Sequence, residues 1–319
     1  MTRHNRSMTN ERIPLLIDTD PGVDDALALL MAFNDARHEV VGLTIAAGNV
    51  GLEHTVANAL KLCEVCGVDV PVFPGTAEPL LHPAEHAAFV HGRDGFGDTG
   101  YAKASRQAES EHAALAILRL SHQYAGKLLL VALGPLTNVA LALKLDPTLP
   151  SRVARCLVMG GAVSAHGNIS AAAEFNIAFD PEAAHIVFSA FPKIDVADWE
   201  AVIAHGFLHE DAERWLAAGS PRAAFYAGIS AHTRKWSRAG RGERWHAADA
   251  LAMAFALEPD GASEVLERPL VVELDGRHTR GSTVVDWNRQ HGRPDNAAIL
   301  MRYDQARFEG LLERALAAG

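Results

Sequence analysis

Four carboxylates fall within eight positions of the chain: Asp18, Asp20, Asp24 and Asp25, in the run Asp-Thr-Asp-Pro-Gly-Val-Asp-Asp. Two like charges ~4 Å apart repel by about 4 kcal/mol at an effective dielectric of 20. Such a group cannot stay fully ionised near a sheet edge without compensation. A helix N-terminus offsets about 0.3–1 kcal/mol per charge, and a bound cation offsets far more. Pro21 and Gly22 supply a tight turn that folds Asp20 back towards Asp24 and Asp25. All-oxygen donors, with no Cys or His pair nearby, favour a hard cation, Ca²⁺ before Mg²⁺. Helix capping by Asp24 and Asp25 is the simpler reading, but it explains only two of the four acids.

Uncharged polar residues recur where other apolar runs end. Asn49 closes Ala-Ala-Gly-Asn, Leu133 opens Leu-Gly-Pro-Leu-Thr-Asn, and Met159 precedes two glycines. Asn168 and the run Glu174-Phe175-Asn176 follow. Singly, each Asn reads as a turn residue; gathered at one sheet edge, they form a polar cup suited to a polyhydroxylated sugar. Asp249, at the start of an apolar helix, suits either an N-cap or a further cation ligand.

The elements that must position these residues alternate. Apolar runs at 13–18, 40–47, 128–133 and 156–160 read as buried strands. Helical spacing occupies 23–33, about 52–67, and the run Thr-Asn-Val-Ala-Leu-Ala-Leu-Lys-Leu after residue 136. Asp180-Pro181-Glu182 combines an N-cap, a helix-starting proline and a dipole-favoured acid. Near-continuous apolar strands alternating with helices indicate a mostly parallel sheet covered on both faces. We expect one α/β domain over residues 13–319, after a disordered leader at 1–12. Residues 75–110 and 226–247 read as long loops, and 269–299 as a β-hairpin and loop, all of a length usual for lids and binding loops.

Composition narrows the functional classes. The formal net charge is −10 and no long Lys/Arg run occurs, which argues against nucleic acid and anionic membranes as partners. No apolar stretch approaches the ~18 residues of a membrane span. The polar N-terminus lacks a signal-peptide core, so a cytoplasmic location is expected. Three cysteines make no disulfide framework, and Cys63 and Cys66 lie inside a helical pattern rather than a metal or redox motif.

Taken together, the motifs resemble those of the nucleoside hydrolase family, of the inosine/uridine-preferring type. The resemblance runs from about residue 13 to 300. It rests on DTDPGVDDALAL, the Gly-Asn at 48–49, HGRDGFGD, LGPLTNVALAL, VMGGA, GNISAAAEFNIAFDPEAAHIV, ADALA and TRGSTVVD. It implies a Rossmann-like α/β fold with central parallel sheet, hydrolysis of the N-glycosidic bond of ribonucleosides, and a homodimer or homotetramer. By motif, Asp20 would be a Ca²⁺ ligand and the general base that deprotonates the attacking water. Asp25, Asp249 and the Leu133 carbonyl would complete the protein's ligands, with Asp18 supporting them from behind. Asp24, Asn49 and Asn176 would bind the ribose 2′- and 3′-hydroxyls, and Asn168 and Glu174 the 5′-hydroxyl. Met159 and Phe175 would line the ribose pocket, and His91 matches the family's loop histidine.

One position departs from the pattern. Where family members carry a His or Trp against the departing base, this chain has Ala248. His82, His91, Trp245 and His246 are the candidates to take over that task. A haloacid-dehalogenase-like phosphohydrolase also opens with Asp-x-Asp, but its downstream Lys and distal acidic pair do not follow in order. A non-catalytic ribose-binding protein on the same scaffold is the other reading; Ala248 favours it and the intact base and metal positions oppose it.

Overall fold

The computed structural model describes residues 12–164 and 166–319, so the expected leader falls almost wholly outside the described residues. Eight strands form the central sheet: β1 (Ile13–Thr19), β2 (His38–Ile45), β3 (Val72–Pro74), β4 (Leu128–Ala132), β5 (Val153–Met159), β6 (Ile194–Ala197), β9 (Ala262–Arg268) and β12 (Ala297–Tyr303). Two small ribbons complete the strands: β7 (Phe207–Leu208) with β8 (Arg244–Trp245), and β10 (Leu270–Val272) with β11 (Thr283–Val285). The sheet order is β3-β2-β1-β4-β5-β6-β12-β9, parallel throughout except for the antiparallel β12–β9 edge.

Alternate residues of β1 enter different cores. Leu15 and Ile17 pack on one side with the helices Val23–Asn34 and Ala248–Leu257, while Leu16 packs on the other with Thr137–Leu145 and Pro181–Ala190. Helices therefore cover both faces, as the apolar strands require. β1 is followed by β2 and β3 on one side and by β4 on the other. The reversal opens a crevice beyond the carboxyl ends of β1 and β4, the usual ligand position in open α/β sheets.

The early elements agree with the sequence reading to within a few residues. The β10–β11 ribbon confirms the hairpin. Residues 226–247 are a correction: most belong to a 21-residue helix, Pro221–Arg241, capped by the Ser220 hydroxyl on the Ala223 N–H. Its buried stripe includes Tyr226, Ile229, Ser230, Thr233 and Ser237, so hydroxyl residues stand where aliphatic ones would have revealed the helical period. No helix among the described residues is long and apolar enough to cross a membrane.

Asp180 stitches three segments together. Its Oδ1 accepts the Ala183 N–H at 3.0 Å, while Oδ2 accepts the Leu80 N–H at 2.9 Å and the Thr137 hydroxyl at 2.8 Å. Asp180→Ala removes a cap and strands the buried Thr137 hydroxyl and the half-buried Leu80 N–H, so it should cost about 2–4 kcal/mol. A urea midpoint lowered at unchanged slope would show it.

Candidate active site

β1 delivers the acids into the crevice, and neighbouring strands fix each one. Asp18 Oδ1 accepts the Thr44 hydroxyl at 2.7 Å and the Asn138 amide at 3.0 Å. Thr76 holds Asn138 in turn, through its N–H and hydroxyl. Asp18 Oδ2 is buried without a partner, and burial pushes this carboxyl up to about 7.

Asp20 Oδ2 accepts the Asn49 N–H at 2.7 Å. Gly48 and Gly134 press on the same carboxylate: a Cβ on either would come within 2.1 Å of Oδ2 or 2.3 Å of Oδ1. Only glycine lets both loops approach so closely. Asp25 locks the turn. Its Oδ1 accepts the Thr19 hydroxyl at 2.5 Å, and its Oδ2 accepts the Gly22 N–H and the Asn49 amide, each at 3.0 Å.

Asp249 enters from the helix Ala248–Leu257. Among the described residues, Asp24, Asp25 and Asp249 bring carboxylate oxygens within 4.8 Å of one another. Asp25 and Asp249 thus meet as expected. Asp24, expected on the sugar, joins them, and Asp20 stands outside this tightest group. Burial raises the pKa of Asp20, Asp25 and Asp249, and the neighbouring acids raise each further. Burial also pushes Asp24 up to about 6, partly opposed by Arg241. Asp24 Oδ1 is buried without a hydrogen bond. Among the described cavity residues, Arg241 is the one Lys or Arg, and Leu133 contributes to the same wall. Buried, unpaired oxygen donors of this kind fit a hard divalent cation.

The polar cup forms above the acids. Glu174 caps the short helix Phe175–Phe179, accepting the Asn176 N–H on Oε1 and the Ile177 and Gly161 N–H groups on Oε2. Burial pushes its carboxyl up to about 7. The Asn176 amide donates to the carbonyls of Leu133 at 2.6 Å and Met159 at 3.2 Å, tying the ends of β4 and β5 together. Asn168 Oδ1 accepts the Phe175 N–H at 2.8 Å. Asn49, Met159, Asn168, Glu174, Phe175 and Asn176 all line one cavity with Asp24 and Asp249.

The candidates for the leaving-group side divide. His91 lines the cavity, but its Nδ1 accepts the Val23 N–H at 3.1 Å, which places the proton of the neutral ring on Nε2. Burial pulls His91 and His246 down to about 4. Trp245 reaches the cavity from a buried stack between Tyr226 and His209. His82 is not brought in: it lies on the surface, 3.9 Å from Glu182.

Sequence reasoning missed Trp199, Thr233, Ser237 and Arg241, which also line the cavity, and gave Trp236 no role there. The spacing of Thr233, Trp236, Ser237 and Arg241 would have placed them on one helical face. Reading this segment as a loop hid that signal.

Comparison with known proteins agrees with this geometry. Residues 15–310 match the sequence profile described as inosine-uridine preferring nucleoside hydrolase. A probable uridine nucleosidase 1 of Oryza sativa subsp. japonica is 41% identical over 233 residues, covering 72% of each chain. A pyrimidine-specific ribonucleoside hydrolase of Salmonella typhimurium is 34% identical, covering 95% of this chain and 98% of its own. The solved structure of a plant nucleoside hydrolase superposes with a TM-score of 0.91 at 30% identity, over 97% of this chain and all of that one. With its acids and polar cup gathered at the strand ends of that fold, the chain belongs to the inosine-uridine preferring nucleoside hydrolase family, enzymes that cleave the N-glycosidic bond of ribonucleosides.

Proposed function

We propose that residues 13–319 act as one Ca²⁺-dependent nucleoside N-ribohydrolase domain in which Asp20 is the general base. The observation that carries this reading is the clamp on Asp20, a carboxylate fixed by Asn49, Gly48 and Gly134 beside buried acids. Asp20, Asp25, Asp249 and the Leu133 carbonyl would hold the cation, with Asp24 close enough to contribute. When bound, the cation supplies Lewis acidity that makes the attacking water easier to deprotonate. Asp20 takes that proton, an assistance worth ~10²–10⁴-fold. Asn49 and Asn176 hold the ribose 2′- and 3′-hydroxyls with Asp24, and Asn168 and Glu174 hold the 5′-hydroxyl. Their oxygens also stabilise positive charge developing on the sugar ring.

The names of the Oryza and Salmonella relatives support uridine as the first substrate to assay. Three free cysteines suit a reducing cytoplasm, and family membership supports a homodimer or homotetramer.

Exhaustive chelation should abolish turnover and lower the melting temperature, and added Ca²⁺ should restore both. Recovery with Mg²⁺ but not Ca²⁺ would refute the choice of ion.

Asp20→Asn should reduce kcat by ~10²–10⁴-fold with little change in KM, since an amide ligates but takes no proton. Gly134→Ala should lose kcat similarly by displacing the same carboxylate, whereas Asp24→Ala should raise KM as well. Near-normal turnover by Asp20→Asn would exclude it as the base.

A further inference from the structure

Ala248 offers no group to a departing base, yet the cavity it lines contains a cation whose place in the reaction is unassigned. Arg241 is the last residue of the helix Pro221–Arg241. Its guanidinium lies over two indoles, with its central carbon 4.7 Å from the Trp199 ring centre and 4.9 Å from that of Trp236. Cation–π contact with two rings steadies a guanidinium without using its N–H groups. Arg241 is half-buried, and no ion pair or hydrogen bond from its side chain to a described residue is found. It feels the charge of Asp24 without pairing to it. Its N–H groups bond to no described acceptor, and a ligand that supplies negative charge would give them one.

The hydroxyl-binding residues show which part of a nucleoside meets it. Asn49, Asn168, Glu174 and Asn176 come from the loops and the short helix Phe175–Phe179 beyond the strand ends, and they account for the sugar. Much of the remaining wall comes from the helices Ala88–His91 and Pro221–Arg241, with Trp199, Trp245 and His246 beside them: Phe89 lies 6.1 Å from Trp236, with Arg241 one turn further along. That wall is left for the base.

Resting on the hydrolase reading above, we propose that Arg241 is a catalytic residue that stabilises the nucleobase as it departs as an anion. Water oxygen bonds to C1′ as the N-glycosidic bond breaks, and that bond's electron pair stays on the base nitrogen. Asp20 takes the water's proton. The base anion is held by guanidinium N–H groups and takes its own proton from solvent on release. Arginine keeps its proton at neutral pH, so it acts by charge and hydrogen bonding and not as a general acid. Bases that carry negative charge well, with a carbonyl beside the glycosidic nitrogen, are the substrates this favours. Bases that must leave as protonated cations are repelled.

The test uses the cation-loaded enzyme with p-nitrophenyl riboside, uridine, cytidine and 5′-deoxyuridine. Arg241→Met keeps an apolar stem against the indoles and removes the charge. It should lower kcat/KM for uridine by ~10²–10³-fold, the usual effect of losing one donor to a developing anion. It should lower that for p-nitrophenyl riboside, whose leaving group needs little help, by less than about tenfold. Guanidinium ion should restore part of the uridine turnover to Arg241→Ala, which a purely structural residue would not allow. Unchanged inhibition by free ribose and an unchanged melting temperature would show that the site is intact. Equal losses on uridine and the activated riboside, or no rescue, would overturn the role of Arg241. So would a loss that disappears with 5′-deoxyuridine, since Arg241 would then serve the 5′-hydroxyl. Wild-type enzyme inactive on every riboside would instead overturn the hydrolase reading itself.

Discussion

Asp18, Asp20, Asp25 and Asp249 are each no more than 3% exposed, and they share one end of one sheet. Each close pair costs about 4 kcal/mol in repulsion at an effective dielectric of 20, before desolvation is counted. A domain whose net stability is about 5–15 kcal/mol cannot carry several such terms unrelieved. Backbone N–H groups, the Thr19 and Thr44 hydroxyls and the amides of Asn49 and Asn138 relieve part of this. They also fix Asp18, Asp20 and Asp25 in direction. The uncompensated remainder is what a bound cation would relieve. Stability and function meet in the same residues.

The reversal of strand order after β3 is what lets so few residues build the site. Ends of β1, β2, β4 and β5 lie side by side, so Asp20, Asn49, Leu133 and Met159 converge although more than a hundred residues separate the first from the last. Gly48 and Gly134 close in on Asp20 from the two strands that flank β1. Close approach on both sides is available only beside a central strand, and β1 is central. An edge strand could carry the same acids but could not clamp them.

Much of this was legible in the residues themselves. β1, β2, β4 and β5 are apolar runs, and the acids follow β1 within a few positions, so neither required knowledge of distant contacts. β3 and β6, with three and four residues, were too short to produce a pattern. The helix Pro221–Arg241 was obscured because burial there is achieved by Ser230, Thr233 and Ser237, whose hydroxyls can bond backbone oxygens: Thr233 donates to the Val90 carbonyl. Trp199 and Arg241 lie forty-two positions apart in sequence and meet only through that helix. Their joint role was invisible without it. Asp24 shows the opposite limit: motif matching places it on the sugar, and its closeness to Asp25 and Asp249 was not part of that match.

Exchanging a proton donor at position 248 for a cation held against two indoles at 241 changes what limits the reaction. A histidine acid must be charged to act, which competes with its burial beside Asp249 and ties its action to a narrow pH range. A guanidinium meets no such limit, and two indole faces replace the hydrogen bonds that would otherwise have to fix it. The cost falls on scope: with no proton to give, the site depends on how well each base bears negative charge. Ala248 then follows from the same arrangement. A methyl group at the helix start, 6% exposed and facing the cavity, leaves room for the base to approach Arg241 and offers no donor to compete for it.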